Sequence, residues 1–153
     1  MLTNASAVDY SYLNSLIGHL SGLAHLRATQ LCTEALADVG LTPKQFVTLE
    51  FVANNHSFSQ KEIAMHVGTP PAVMVGVLDV LTERGLVERV RSQTDRGRHT
   101  VVLTAGGEAI RADVKTAALQ VESRLFEESG MTTAEWETLT HLLQKLTHRE
   151  ETG

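Results

Sequence analysis

The sequence predicts a mainly α-helical protein with one small β-hairpin. Apolar residues recur at the three-to-four-residue spacing of half-buried helices along most of the 153-residue chain. Two segments break this pattern, Leu86–Arg91 and His99–Leu103, because both are rich in β-branched residues. The polar run 92–98 lies between them, so the pair is predicted to form a hairpin. Glycines and N-capping residues divide the remaining chain into separate helices.

Composition and length indicate one soluble globular domain, residues 1–153. Hydrophobic residues make up 42% of the chain and charged residues 20%, which is ordinary for a protein with a packed core. No apolar run approaches the roughly 20 residues needed to span a bilayer, and Met1–Tyr10 lacks the pattern of a secretory signal. The single cysteine, Cys32, rules out an internal disulfide framework and fits a reducing compartment. We therefore expect a cytoplasmic protein with no membrane partner.

The first helix is predicted to run from Ala7 to Val39, with Gly40 ending it. At about 1.5 Å per residue, such a helix is longer than one compact lobe. Part of its apolar stripe must therefore be buried elsewhere. The stripe comprises Leu13, Leu16, Ile17, Leu20, Leu23, Ala24, Leu31 and Leu36.

A second helix is predicted to open at a capping box. Thr42 is the N-cap, Pro43 occupies the first helical position and Gln45 the third. The polar residues Asn54 to His56 end it. Its buried face is expected to comprise Phe46, Leu49, Val52 and Ala53.

The stretch before the hairpin predicts two helices joined by a tight turn. Ser59 and Glu62 form a capping box for the first of them, and Gly68 breaks it. We expect Thr69 to cap the second helix of this pair and Pro70 to occupy the first position of that helix, where a missing N–H costs nothing. The apolar residues expected in the core from this second helix are Met74, Val77, Leu78 and Leu81.

Two further helices follow the hairpin. Thr104 caps a helix predicted through Ser129, and Gly130 ends it. Thr132 and Glu135 form another capping box, which opens a last helix to about residue 148. Both helices carry an apolar stripe, so each is expected to pack against another element.

The long helices, about 7–40 and 104–148, offer more apolar surface than one small lobe can cover. The simplest way to bury it is against a second copy of the chain, since twofold dimers are the commonest closed assembly. The alternative is that these helices pack only on their own lobe. We expect a homodimer in which they are the dimerisation helices.

A helix-turn-helix followed by a hairpin is a winged helix, here spanning about residues 41–104, and this architecture usually binds DNA. The net charge of −5 by itself argues against a nucleic-acid partner. The charge is unevenly distributed, however. Residues 84–98 hold five arginines and two acidic residues, a local charge of +3, whereas the rest of the chain has eight basic and sixteen acidic residues, a charge of −8. The hairpin is therefore the expected contact with double-stranded DNA.

The order of elements and several local motifs resemble the MarR family of bacterial winged-helix regulators. The resemblance runs from about Leu13 to about Leu146. It implies a homodimeric transcription factor that binds a pseudo-palindrome, usually as a repressor. It also implies a recognition helix in the major groove, a hairpin arginine in the minor groove, and a small aromatic or anionic ligand that lowers DNA affinity. The motifs that carry it are Leu41–Phe46, Ile63-Ala64 before Gly68, Leu81–Val87, Asp95-Arg96, and Val102–Thr104 followed by Gly107.

The predicted recognition helix departs from the family pattern. Members usually carry Ser, Thr and Arg on its exposed face, whereas side chains that cannot donate a hydrogen bond stand here, so bidentate arginine–guanine readout is absent from it. Contact with thymine methyl groups, backbone contacts and A·T-rich shape remain. The hairpin departs too, since Gly97 stands where a second arginine is usual. Which of its neighbours, Arg96 or Arg98, enters the minor groove stays open. The non-donating residues of the helix are Pro70, Pro71, Val73, Val75 and Gly76.

The predicted DNA-binding residues lie at the start of the first helix of the helix-turn-helix, along its second helix and at the hairpin tip. Exposed N–H groups at a helix start favour phosphate, and a narrow minor groove attracts arginine. The alternatives are plain capping for the helix start and a solvated turn for the arginines. The predicted residues are Ser59, Gln60, Lys61, Thr69, Pro71, Val73, Val75, Gly76, Arg96 and Arg98.

A ligand cleft of the kind that the resemblance implies would lie between the long helices and the DNA-binding lobe. The residues expected there are His19, Leu23 and Leu26 of the first helix with Phe46 and Leu49 of the second. Of these side chains, only His19 has a polar tip that could meet an anion. All five equally fit ordinary core positions.

Motifs for metal binding or catalysis are missing from the sequence. His19 and His25 point to different faces of a helix, and His141 and His148 lie too far apart for one ion. There is no glycine-rich phosphate loop, nucleophile elbow or HExxH motif. We expect no metal, no cofactor and no enzymatic activity, and we interpret Cys32 as a small buried residue rather than an oxidation sensor.

The apolar stretch around Pro71, Val73 and Val75 supports a second hypothesis of a different class. An exposed apolar patch marks an interface, so the winged helix could serve as a protein-interaction module.

Overall fold

The computed structural model describes residues 8–92, 95 and 97–148. Its elements follow the predicted order, with a mainly α-helical chain and one two-stranded antiparallel hairpin. A 3-10 turn at Leu13–Ser15 precedes the first helix. The elements are α1 Ile17–Ala35, α2 Pro43–Asn54, α3 Gln60–Val67, α4 Pro71–Glu83, β1 Val87–Arg91, β2 His99–Leu103, α5 Ala105–Ser129 and α6 Thr133–Leu146.

The hairpin and the helix starts confirm the predicted fold class. β1 and β2 pair from Val87 opposite Leu103 to Arg91 opposite His99. Capping boxes with both hydrogen bonds are present at Thr42, Ser59 and Thr132. The Thr104 hydroxyl accepts from the N–H of Gly107 at the start of α5. These caps are local, because each joins residues three positions apart.

The first helix is shorter than predicted at both ends. Ala7 lies outside the described residues, and α1 begins only at Ile17 because Leu16 is extended, with φ −95° and ψ 109°. The helix ends at Ala35, and the chain then turns so that Leu36 is only 1% exposed. The apolar spacing thus continues past the end of the helix to Leu36, which is buried in the turn that follows.

The prediction that Thr69 caps α4 is wrong. Gly68 has a φ of +66°, and the N–H of Thr69 donates to the carbonyl of Ala64 at 2.8 Å, so both residues belong to the C-terminal motif that ends α3. Pro70 is instead the N-cap of α4, and Pro71 is its first residue. The second proline therefore occupies the position predicted for the first.

The core lies in the winged-helix lobe. It joins α2, α3 and α4 to the hairpin and to α5, from which Val114 is fully buried and Ile110 packs partly buried against the cluster. The buried apolar residues of this cluster are Leu41, Leu49, Val52, Ile63, Ala64, Met74, Leu78, Leu81, Leu86, Val87, Val101 and Val114.

The apolar side of α6 is exposed in the single chain. None of its residues is buried, and its leucines at positions 139, 142, 143 and 146 are 37% to 55% exposed. The helix meets α5 through the rings of Trp136 and Phe126, whose centroids are 5.6 Å apart.

Within the described ranges, no single helix is both long and apolar enough to cross a membrane. By length and composition alone, α3 and α4 pass that test only as a pair, and they are bent by 110° at their junction.

Candidate DNA-binding surface

The start of α3 and the hairpin adjoin on one side of the winged-helix lobe. Ser59, Gln60 and Lys61 line one wall of a groove of about 360 Å³. Both strands supply the other wall, with Arg89 from β1 and residues 99–101 from β2. The helix start that is predicted to bind phosphate and the hairpin that is predicted to contact DNA therefore adjoin the same groove.

One carboxylate oxygen ties the hairpin tip to the start of α3. Oε2 of Glu62 accepts hydrogen bonds from the Ser59 N–H and hydroxyl, both at 2.7 Å, and from the Arg98 guanidinium at 2.5 Å. Arg98 also donates to the carbonyl of Ser57 at 3.1 Å. The hydrogen bonds from Ser59, and then the positive charge of Arg98, lower the pKa of Glu62. Arg98 is thereby held beside α3.

Arg89 connects the same groove to α4. Its guanidinium donates to Oδ1 of Asp79 at 2.7 Å and to Oε1 of Gln60 at 3.2 Å. Gln60 belongs to α3, and Asp79 lies on the exposed side of α4. One side chain of β1 therefore contacts both helices of the helix-turn-helix. The start of α3, the hairpin and α4 thus form one continuous surface.

The outward side of α4 is apolar, as predicted. Pro71 and Gly76 are exposed, and the side chains of Val73 and Val75 are 51% and 41% exposed. The inward side is the core face already described. Thr69 departs from the prediction, because it is only 6% exposed and its side chain does not join the other predicted DNA-binding residues at the surface.

Two more basic residues of this surface are exposed, Lys61 on α3 and Arg91 on β1. Arg96, which we also predict to bind DNA, lies outside the described residues. Whether Arg96 or Arg98 enters the minor groove stays a prediction.

Arg84 has a different role from the one that charge counting assigned to it. Its guanidinium donates to the carbonyls of Gly40 at 2.5 Å and Val39 at 3.1 Å. It therefore fastens the turn before α2 to the end of α4. These partners lie more than forty residues apart in the chain, so sequence spacing gave no signal for them.

The comparisons with known proteins agree with this geometry. The MarR family model matches residues 39–96, and the transcriptional repressor CouR, in a structure bound to a 23-mer DNA duplex, is 34% identical to this chain. That match covers 93% of this chain and 99% of CouR, with a TM-score of 0.82.

The chain belongs to the MarR family.

Two further matches are a second structure of CouR, which contains a ligand instead of DNA, and a curated relative. CouR bound to p-coumaroyl-CoA is 32% identical, covers 92% of this chain and 98% of that chain, and has a TM-score of 0.75. A protein of Thauera aromatica, named as a transcriptional regulator for the hcr operon, is 31% identical over 107 residues. Those residues are 70% of this chain but 63% of that protein, so the match spans less than two thirds of it. The family is one of transcriptional regulators.

The DNA-binding lobe of this MarR-family protein is tied to α5 by a charged contact that sequence reasoning missed. Arg111 of α5 donates to both carboxylate oxygens of Glu50 on α2, at 3.1 and 3.2 Å. The two side chains are only 13% and 19% exposed. Arg111 also donates to Glu108 one turn earlier. A predicted dimerisation helix is therefore joined to the lobe that carries the candidate DNA-binding surface.

The five residues predicted to bind a ligand do not share one environment. Leu49 is fully buried, whereas Leu23 and Leu26 are 49% and 65% exposed. His19 and Phe46 are half-buried. None of the five lines a separate cavity of about 270 Å³ between the end of α1 and α5. The structure thus leaves the predicted ligand cleft untested.

Titratable side chains show no second kind of site in the described ranges. No group of three or more His, Cys, Asp or Glu residues is placed there to hold a metal ion. Cys32 is half-buried, and this burial raises the pKa of its thiol. A raised pKa disfavours the reactive thiolate, although Cys32 is less buried than our interpretation expects.

Proposed function

We propose that two copies of the chain form a symmetric dimer that represses transcription from a pseudo-palindromic operator in the cytoplasm, with no enzymatic activity. In each copy, α4 lies in the major groove and the hairpin tip reaches the adjacent minor groove. The observation that carries the proposal is the position of Arg89, which contacts Gln60 of α3 and Asp79 of α4. Basic side chains of α3 and the hairpin therefore lie beside the mostly apolar outward side of α4, whose exposed Asp79 is paired with Arg89, an arrangement that suits a groove between two phosphate backbones.

The proposed contacts divide by chemistry. Lys61 and the free N–H groups at the start of α3 bind phosphate, while Ser59 chiefly caps that helix. Arg98, Arg96 or both enter the minor groove. The bases are contacted from α4, by residues 71–76.

The exposed apolar surface supports the dimer. The leucines of α6 remain 37% to 55% exposed in the single chain, and Leu13, Leu16, Ile17 and Leu20 near the start of α1 are 37% to 65% exposed. Each of these two segments thus presents exposed apolar side chains, and exposed apolar patches mark interaction surfaces. A second copy, related by twofold symmetry, would cover it and set two α4 helices about one DNA turn apart.

DNase I footprinting on the DNA upstream of the gene tests this proposal. We expect protection of two symmetric half-sites about one helical turn, roughly 10 base pairs, apart. Analytical ultracentrifugation should give two chains per duplex. A single unpaired half-site, or one chain per duplex, would contradict the dimeric arrangement. The matched control for hairpin variants is Lys115→Ala, which removes a positive charge from an exposed position on α5.

We further propose that a small aromatic or anionic ligand relieves repression. Support comes from CouR, which has been seen with DNA and with p-coumaroyl-CoA. The proposed ligand contacts are the half-buried His19 and Phe46, with Leu23 nearby on α1. Leu26 and Leu49 belong to the same prediction.

Anisotropy of the preformed DNA complex should fall on addition of p-coumaroyl-CoA or aromatic carboxylates but not of free coenzyme A. Unchanged anisotropy with every aromatic probe would contradict ligand relief.

A further inference from the structure

We infer that α4 reads the DNA sequence chiefly through the 5-methyl groups of thymines in the major groove. The inference rests on the proposed function, since it requires α4 to enter that groove. It adds the chemical class of the sequence that is read: thymine-containing steps facing α4, selected by apolar contact rather than by hydrogen bonds to base edges.

The exposed side chains of α4 carry the inference. From residue 71 to residue 80, the exposed positions hold one proline, one alanine, three valines, one glycine and one aspartate. The valines at 73, 75 and 80 are 51%, 41% and 38% exposed. The polar exception, Asp79, already accepts a hydrogen bond from Arg89. Thr82, one turn later, donates its hydroxyl to the carbonyl of Leu78.

The backbone at the start of α4 offers few donors as well. Pro70 and Pro71 have no N–H, and the N–H groups of Val73 and Met74 both donate to the carbonyl of Pro70 at 3.0 Å. The beginning of this helix is therefore a poor site for a phosphate. Attraction to the DNA backbone must come instead from α3 and the hairpin, which leaves α4 to contact bases.

The chemistry of the major groove then selects the base. Guanine, adenine and cytosine present hydrogen-bonding groups there, whereas thymine adds an apolar methyl group. A valine side chain against a polar base edge would strip its water without replacing the hydrogen bond, which is unfavourable. Against a thymine methyl, the same side chain gains apolar contact. Thymines are thus favoured and G·C pairs disfavoured wherever Val73 or Val75 meets the groove.

Replacing thymine by uracil in the footprinted duplex is the direct test, because uracil keeps every hydrogen-bonding edge and lacks only the methyl group. A buried methyl group is worth about fourfold in affinity. A symmetric dimer repeats each contact in both half-sites, so one contacted thymine per half-site predicts affinity weaker by about fifteenfold. The measurement is fluorescence anisotropy of the two duplexes at one salt concentration.

Variants of the protein show whether α4 is responsible. In Val73→Ala and Val75→Ala, which keep a good helix former at an exposed position, the ratio of affinities for thymine and uracil DNA should shrink toward one. Arg98→Ala is the matched control: it should weaken binding to both duplexes and leave that ratio unchanged.

The outcomes separate this inference from the proposed function. A ratio near one for the wild-type protein on its footprinted duplex would overturn thymine-methyl reading while DNA binding stands. A ratio that persists in both valine variants would also overturn it, because another element would then sense the methyl groups. Failure to prefer upstream DNA over scrambled DNA would count against the proposed function itself. If the protein showed no such preference and Val73→Asp left its DNA affinity unchanged, we would assign the apolar face of α4 to a protein partner.

Discussion

Arg98 at the hairpin tip and Glu62 in the first turn of α3 share a hydrogen bond of 2.5 Å, although they lie 36 positions apart in the chain. The same carboxylate oxygen accepts both hydrogen bonds of the Ser59 cap. One negative charge therefore supports a helix start and positions an arginine proposed to bind DNA. The stability of α3 and the placement of the hairpin tip are coupled through it.

We predict that Glu62→Gln makes thermal stability less sensitive to acid. The hydrogen bonds from Ser59, with the charge of Arg98, lower the folded-state pKa of Glu62 from its ordinary value of 4.5. The ionised carboxylate thus stabilises the fold above pH 4.5, and this contribution disappears as the pH falls from 4.5 toward the lowered pKa. Glutamine keeps the capping oxygen but removes the charge.

Melting temperatures measured by circular dichroism from pH 7 to pH 3 check this. The wild-type protein should be destabilised more by acidification than Glu62→Gln. The control is Glu137→Gln, at an exposed position on α6, and it should follow the wild type. Identical pH profiles for the wild type and Glu62→Gln would show that the carboxylate does not stabilise the fold.

The contact between Arg111 and Glu50 should matter more for stability than an exposed ion pair. Arg111→Met would leave Glu50 without its charged partner at a site where the two side chains are 13% and 19% exposed, and removing one partner of such a pair is strongly destabilising. Arg124→Met breaks the pair with Glu34, whose side chains are 49% and 52% exposed, and exposed pairs contribute little. Thermal melts should show a fall of several degrees for the first variant and almost none for the second. Equal effects would refute the distinction.

Two glycine-to-alanine changes should have opposite effects on stability. A Cβ at Gly107 would lie 2.2 Å from the carbonyl oxygen of Leu86, so Gly107→Ala must displace α5 from the hairpin at a cost of roughly 1–3 kcal/mol. A Cβ at Gly76 would meet no atom within 4 Å, so Gly76→Ala should stabilise α4 by about 0.5–1 kcal/mol. Urea denaturation measures both.

Gly76→Ala should also weaken DNA binding, because the added methyl group lies on the face of α4 that is proposed to approach the bases. The variant would then be more stable and less active. Retained affinity in the anisotropy assay would mean that the backbone of α4 does not come close to the groove at this residue.

A charge on the exposed side of α6 should abolish the dimer. Leu143 is 43% exposed in the single chain, so Leu143→Asp is not expected to unfold α6 but would place a carboxylate in the proposed interface. Sedimentation should then report a monomer, with weaker binding to a two-half-site duplex. Met65→Asp changes a residue that is 68% exposed on α3 and should remain dimeric. A dimer in both variants would place the interface elsewhere.

Local signals explain most of what the sequence predicted correctly. The caps at Thr42, Ser59, Thr104 and Thr132 are hydrogen bonds between residues three positions apart, so the residues themselves specify them. The prediction failed at Thr69. The few residues between α3 and α4 can either end the first helix or cap the second, and Thr69 belongs to the end of α3. The prediction also failed at the ends of α1, because apolar spacing alone does not show where a helix stops: Leu36 is buried beyond its end, whereas Leu13 and Leu16 before its start are 38% and 37% exposed.

The candidate site was predictable in type but not in its connections. The apolar face of α4 and the basic hairpin follow from the residues present. The hydrogen bonds of Arg84, Arg98 and Arg111 join positions 36 to 61 residues apart, and these depend on the tertiary arrangement. The charge count over residues 84–98 groups Arg84 with the hairpin arginines, because it considers only their positions along the chain.

The central claim is that the surface formed by α3, α4 and the hairpin binds a specific DNA sequence. Fluorescence anisotropy against upstream and scrambled duplexes, at two salt concentrations, tests it most directly. We predict tighter binding to the upstream duplex and affinity that falls steeply with salt. In the double variant Arg96→Ala with Arg98→Ala, the salt slope should decrease by about one for each phosphate interaction that the substitutions remove. Lys115→Ala should match the wild type. Equal, weak binding to both duplexes, or unchanged affinity in the double arginine variant, would contradict the claim.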